Sequence, residues 1–425
     1  MTDELAASLV DILLRYFRKG EAIDAVGGSP DASGTDLLLL HWSISRTVQS
    51  LVEYARRNSH ELQSVLGSHI VRTDGAIRGR ILAAVTVRMQ AVTTNPTLHA
   101  TEEPFRSFDS GPNRVLGWTL RLVEQFARRF SSLLPTEATY FERTTALLAS
   151  VRHIDRVLPM TNDALLHVPN ADDVRAARSS RVRLYRLAVD AYDAMRALER
   201  REEAAIAELI GTTLVGPMER WQQFELALAL AMAEAIAERI GVRPVLRELR
   251  PGPSDVQIDV GPYALRLQKP GPTFVRPSLE RWEIRTAEIL SDYGLLSGSD
   301  RPDIVLYEIA SGRAMAIGEA KYFEGDDWTD RLRDAVGQVV TYSRGYEKSQ
   351  GDTEAIIGRS IIGLWTAGGQ APTATERTPF VATFADFRSG LRGWAERVLE
   401  GSRSAPPAIG SGISSSASVA NTAGG

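Results

Sequence analysis

The sequence predicts an α/β domain in its C-terminal half, preceded by a mostly α-helical N-terminal region. Three observations carry this. Apolar residues recur with a helical period through the first half, as at Leu9, Ile12, Leu13 and Tyr16. From Val245 onward the period shortens to two, with Val256, Ile258 and Val260 alternating, then Tyr263, Leu265 and Leu267. Beyond them helical and strand-like stretches take turns, an order that packs helices against a sheet.

The elements follow in order. The helical period returns over 115–130 and 184–210, and polar, Gly-containing joints separate the helices at 27–34, 72–79 and 107–113. Residues 211–217 form the next joint, after which 218–240 reads as a strongly apolar helix. Gly261-Pro262 marks a hairpin between the alternating runs. Residues 279–293 read as helix, 303–309 and 314–321 as a second hairpin, 329–345 as helix, 360–366 as a buried strand, and 384–399 as a last helix. Residues 401–425 are Ser, Gly, Ala and Pro with almost no charge, too little bulk to offset ordering entropy, so a disordered tail is expected. The expected organisation is a helical recognition or partner-docking region at 1–210, the α/β domain at 211–400, and the tail at 401–425.

Composition excludes several functions. A formal charge of −4 rules out holding a polyanion through bulk positive charge, so any nucleic-acid contact must be a local groove. Cys is absent, which removes disulfides, thiolate zinc sites and a Cys nucleophile. The sequence has no G-x-x-x-x-G-K-[ST] phosphate loop and no G-x-S-x-G elbow. Its histidines show no metal-binding spacing, and its apolar runs are too short to span a membrane. A cytoplasmic protein is expected. Lysine occurs only at Lys19, Lys269, Lys321 and Lys348 among 49 basic residues, so a lysine in this chain stands out.

The informative segment is Arg301-Pro302-Asp303-Ile304-Val305-Leu306, followed by Ile317-Gly318-Glu319-Ala320-Lys321. A Pro-Asp opens one strand and a Glu-x-Lys closes the next. If residues 310–312 form the loop with Gly312 left-handed, Ile309 pairs with Arg313, and the ladder brings Asp303 opposite Glu319. Both carboxylates then share a face with Val305, Ile317 and Lys321, while Ile304, Leu306, Ala314, Ala316, Gly318 and Ala320 present the other face to a helix. The bland alternative, a strand start and an exposed edge, is weakened because Glu319-x-Lys321 is the only acid-x-Lys in the chain.

This pattern resembles the PD-(D/E)XK nuclease signature. The resemblance implies a restriction-endonuclease-like α/β domain in which Asp303, Glu319 and the Ala320 carbonyl hold Mg2+, or Mn2+ in its place. Hard oxygen ligands suit such a cation, which activates water and offsets charge in phosphodiester hydrolysis. Lys321 would orient the water or stabilise the developing charge. Asp334, Gln338 and Tyr342 recur at helical spacing and resemble the Q-x-x-x-Y helix of RecB-like members, where Gln338 and Tyr342 would support the site. A further helix acid is expected from Glu219, in Glu-x-Trp, with Glu225 as its competitor.

Upstream, Gly75-Ala76-Ile77-Arg78-Gly79-Arg80-Ile81, Arg106-Ser107-Phe108-Asp109 and Pro112-Asn113-Arg114-Val115-Leu116 are similar to the helical region of McrC-like restriction and phage-defence nuclease subunits. That resemblance implies a Mg2+-dependent DNA endonuclease working with an AAA+ NTPase partner. Two rivals stay open: a non-catalytic nucleic-acid-binding or scaffolding subunit with the same fold, and an RNA-directed nuclease. The Arg175, Arg178, Arg181, Arg183 and Arg186 stretch reads as a solvated helix face before it reads as a phosphate stripe.

Overall fold

A computed structural model describes residues 4–19, 22–23, 34–133, 168–247, 256–276, 301–323, 328–351, 353–365 and 377–403, with a few isolated positions between them. The helix expected at 279–293 and the tail beyond 403 lie outside the described residues. Two sheets organise the molecule.

The larger sheet has eight strands in the order β1 (Ala22–Ile23), β5 (Val245–Arg247), β6 (Gln257–Val260), β7 (Tyr263–Leu267), β8 (Ile304–Glu308), β9 (Ala314–Lys321), β10 (Ile361–Leu364) and β11 (Phe380–Thr383). From β5 to β9 neighbours are antiparallel, joined by hairpins at Gly261-Pro262 and at 309–312. β10 then joins β9 in parallel, because the helices between residues 329 and 359 carry the chain back, and β11 joins β10 in parallel. One face packs on the central helix Arg220–Ile240 and the C-terminal helix Arg392–Arg403, the other on the helices Thr329–Arg344 and Thr353–Arg359.

Small residues set how closely the central helix approaches. A Cβ on Gly318 would sit 3.0 Å from Met232 Sδ, and one on Gly363 would sit 3.0 Å from Leu228 Cδ2. The helix is buried nearly all round, from Gln223 to Ala233 without interruption, as a helix apolar on every side must be.

The β8–β9 ladder pairs Ile304 with Gly318, Val305 with Ile317 and Leu306 with Ala316, as the sequence register requires. The turn itself differs. Glu308 N–H donates to the Arg313 carbonyl, so the loop is one residue longer than expected, and an irregularity next to Leu306 and Tyr307 takes up the extra residue. Gly312 is left-handed at φ +70, as expected. The irregularity reverses the faces beyond it: Met315 joins the central-helix side and Ala314 the opposite side, where the uninterrupted ladder places Ala314 with Ile304.

The N-terminal half departs from expectation in three ways. Residues 65–107 are not helical throughout but hold a three-stranded sheet of β2 (Val65–Asp74), β3 (Arg80–Ile81) and β4 (Leu98–Ser107), with the helix Ala83–Thr93. β2 is exposed along most of its length, so no alternating apolar face marks it in the sequence. The helix expected over 184–210 breaks into Arg183–Glu199 and Glu203–Ile210, with Arg201 at φ +56 between them. The boundary expected at 210/211 is not a gap in the core either. β1 pairs with β5, and one hydrophobic cluster includes Leu5, Leu13, Leu228 and Val398.

The upstream motifs act as structural joints. Asn113 donates to the carbonyls of Gln63 and Phe108 at 2.9 and 2.8 Å, clamping the two roots of the β2–β4 excursion together. Arg114 forms a fork on Asp109 and reaches Asp173. Arg175 pairs with Asp172, Arg178 with Asp193, and Arg183 lies over the Tyr54 ring, so that basic stretch is largely spoken for within the helices.

Candidate active site

The ends of the interior strands β7, β8 and β9 meet at one end of the sheet, over the first turns of the central helix. The order of pairing places the chemistry there: Leu267 faces Ile304 and Ile304 faces Gly318, so Gln268, Asp303 and Glu319 follow level with one another. Asp303 Oδ2 accepts from Ala320 N–H at 2.9 Å. Its carboxyl acts electrostatically on the Glu319 carboxyl, which follows level with it on β9. The convergence of these two acids is what the β8–β9 register demands.

Glu319 is 2% exposed. Lys321, on the same strand face, donates to Glu319 Oε1 at 2.7 Å and to Gln338 Oε1 on the helix Thr329–Arg344. Tyr342, one turn beyond Gln338, is buried against the same acids. Burial raises its hydroxyl pKa, and the negative field of Glu319 and Asp303 raises it further. Asp334, the third residue of that polar stripe, is exposed.

The helix acid at this site is Glu225, at 5% exposure and in the electrostatic field of both Asp303 and Glu319. Glu219, the first choice from sequence, is exposed at the N-cap of the central helix, where its backbone N–H donates to Gln222 Oε1 at 2.9 Å. The physical reason is helical geometry: the cap residue serves orphan backbone N–H groups, while Glu225 lies well inside the buried stretch. Residues unmarked by any motif complete the arrangement. Gln268 donates from Nε2 to Glu225 Oε2 at 2.7 Å and accepts from Arg301 Nη2 at 3.1 Å. Its φ of +49 is a left-handed value that costs a residue with a Cβ about 1–2 kcal/mol. Register could have pointed to Gln268, since it extends β7 by one residue opposite Asp303; nothing local in the sequence does.

Electrostatics makes the site unsettled on its own. Burial raises the pKa of Glu225 to about 8, with Asp303 adding to the shift, and does the same to Glu319. Asp303 is also raised, burial again outweighing the Ala320 N–H and the nearby cations. Glu319 Oε2 is buried with no hydrogen-bond donor. An acceptor oxygen held there against other acceptors fits a cation. Among the described residues no three His, Cys, Asp or Glu side chains form a metal cage by themselves. Two carboxylates with a backbone carbonyl fit Mg2+ instead, because it retains several waters. The Ala320 carbonyl projects from the same strand edge as its N–H, toward Asp303.

No family model matches the chain, and no curated protein matches it. Among solved structures it is similar to a chain of the refined half-complex from the tetradecameric assembly of Thermococcus gammatolerans McrB AAA+ hexamers with bound McrC. The identity is 13% and the TM-score 0.25, over 93% of this chain and 75% of that one. That score lies below the range of a shared fold, so the site's own geometry carries the functional reading. Among the described residues no helix is long and apolar enough to cross a membrane.

Proposed function

We propose that the chain is a Mg2+-dependent DNA endonuclease of the PD-(D/E)XK type, the nuclease subunit of a restriction or phage-defence system. The observation that supports this best is the convergence of Asp303 and Glu319 at the ends of adjacent strands, with Lys321 bonded to Glu319 and Glu319 Oε2 left without a donor. Asp303, Glu319 and the Ala320 carbonyl would hold the cation, with Glu225 behind them. A cation held there would lower the pKa of water and offset negative charge that develops on the phosphate. Lys321, held between Glu319 and Gln338, orients the attacking water from the side and places a compact positive charge beside it. Tyr342 remains a neutral hydroxyl and closes the back of the site. An AAA+ NTPase partner belongs to the same reading, because the sequence has no phosphate loop of its own and devotes about half its length to other structure.

Plasmid cleavage tests the reading. Asp303→Ala and Lys321→Ala should each abolish Mg2+-dependent cutting and leave the circular dichroism spectrum intact. Either variant cutting as fast as wild type would remove the site assignment. Metal binding without cleavage of DNA or RNA, with any NTPase partner supplied, would favour the scaffolding reading.

A further inference from the structure

Gln268 joins three parts of the site. Its backbone N–H donates to the Asp303 carbonyl at 2.6 Å, its Nε2 to Glu225 on the central helix, and its Oε1 accepts from Arg301. The side chain is 6% exposed, so these bonds form largely away from water. Only an amide can serve both sides, since it donates to the anion and accepts from the cation. A carboxylate there could not donate to Glu225, and an ammonium or guanidinium could not accept from Arg301. The two partners also fix which end of the amide is which.

The neutral spacer has an electrostatic consequence. A glutamate and an arginine brought to one buried edge would otherwise pair directly, and Glu225 would spend its charge on Arg301. With Gln268 bonded to each of them, Glu225 keeps its carboxylate in the field of Asp303 and Glu319, and Arg301 lies at the exposed rim. The left-handed backbone at Gln268 sits at odds with local preference, which favours Gly or Asn at such a φ. Strain of this kind persists where surrounding contacts over-determine it, and the three hydrogen bonds do so here.

We propose that Gln268 is a positioning residue, holding the Glu225 carboxylate beside the acids at the cation end of the site. The assignment rests on the metal-dependent phosphodiesterase reading.

The test uses the full chain with Gln268→Gly. Calorimetric titration with Mn2+ reads the cation end, and thermal melting reads the fold. Gln268→Gly deletes the amide and relieves the backbone, two effects that oppose one another in stability, so its melting temperature should change little while Mn2+ affinity falls about tenfold, as loss of an outer-shell partner does. A large drop in melting that accompanies the loss of affinity marks a purely structural Gln268 and overturns the assignment, and wild-type Mn2+ affinity in Gln268→Gly overturns it as well. Wild-type protein that binds no Mn2+ removes the underlying reading itself, a result distinct from the others.

Discussion

Glu319 concentrates the chemistry of the candidate site in one side chain. It is buried, one oxygen is bonded to Lys321, and the other has no donor. Its folded-state pKa, like that of Glu225, is raised from 4.5 to about 8, so the folded protein retains protons that the unfolded chain gives up above about 4.5. The unfolded state therefore binds fewer protons across this window, and stability falls as pH rises from about 4.5 to 8. Metal-free protein should melt at a lower temperature at pH 8 than at pH 5, and Mg2+ or Mn2+ should raise the melting temperature more at pH 8. Glu319→Gln should reduce that dependence in metal-free protein, leaving the part that Glu225 contributes, and remove the response to cation. A metal-free melting temperature that climbs from pH 5 to 8 would contradict the account of the buried acids.

Single elements show why some of this structure is legible in sequence and some is not. The β8–β9 hairpin was readable because both of its faces are buried, and a one-residue slip would turn every side chain to the wrong side. The position of Gly318 follows from the same logic: with Met232 Sδ and Ile304 Cβ each 3.0 Å from a would-be Cβ, Gly318→Val should cost about 1–3 kcal/mol by overpacking, measurable by urea denaturation. The compensating irregularity beside Tyr307 was not readable, because a longer loop and a bulged residue leave the pairing at Asp303 and Glu319 unchanged. Nor was Glu225 separable from Glu219 by spacing alone, since the choice depends on where the helix caps. β2 and β4 leave no apolar pattern in the sequence because neither contributes to a hydrophobic cluster. Their excursion is tied at its roots by Asn113, so replacing residues 65–107 with a short flexible linker should leave Mn2+ binding and melting of the remainder unchanged. Loss of the main transition on that excision would show that the small sheet supports the core.

At the scale of the molecule, the N-terminal helices and the large sheet share one interior. The helix Glu4–Lys19 buries Leu5, Leu9, Leu13, Tyr16 and Phe17, and packs on the central helix. That helix is sheathed on one side by the sheet and on another by the N-terminal region, and β1 extends the same sheet from residue 22. A fragment spanning 211–403 would uncover this apolar surface and lose the edge strand, so it should fail to melt cooperatively. The full chain should melt in a single transition. Leu13→Ala, far from the acids, should lower that transition by about 2–5 kcal/mol of stability and carry the Mn2+-binding state down with it. Two resolved transitions, with Leu13→Ala shifting only one, would instead establish separable modules. The consequence reaches the search for a partner subunit: deleting 1–210 would destroy the active site along with any docking surface, whereas excising 65–107 leaves the shared interior whole. Partner capture that survives the excision, with cleavage intact, would place docking on the packed helices and not on the small sheet.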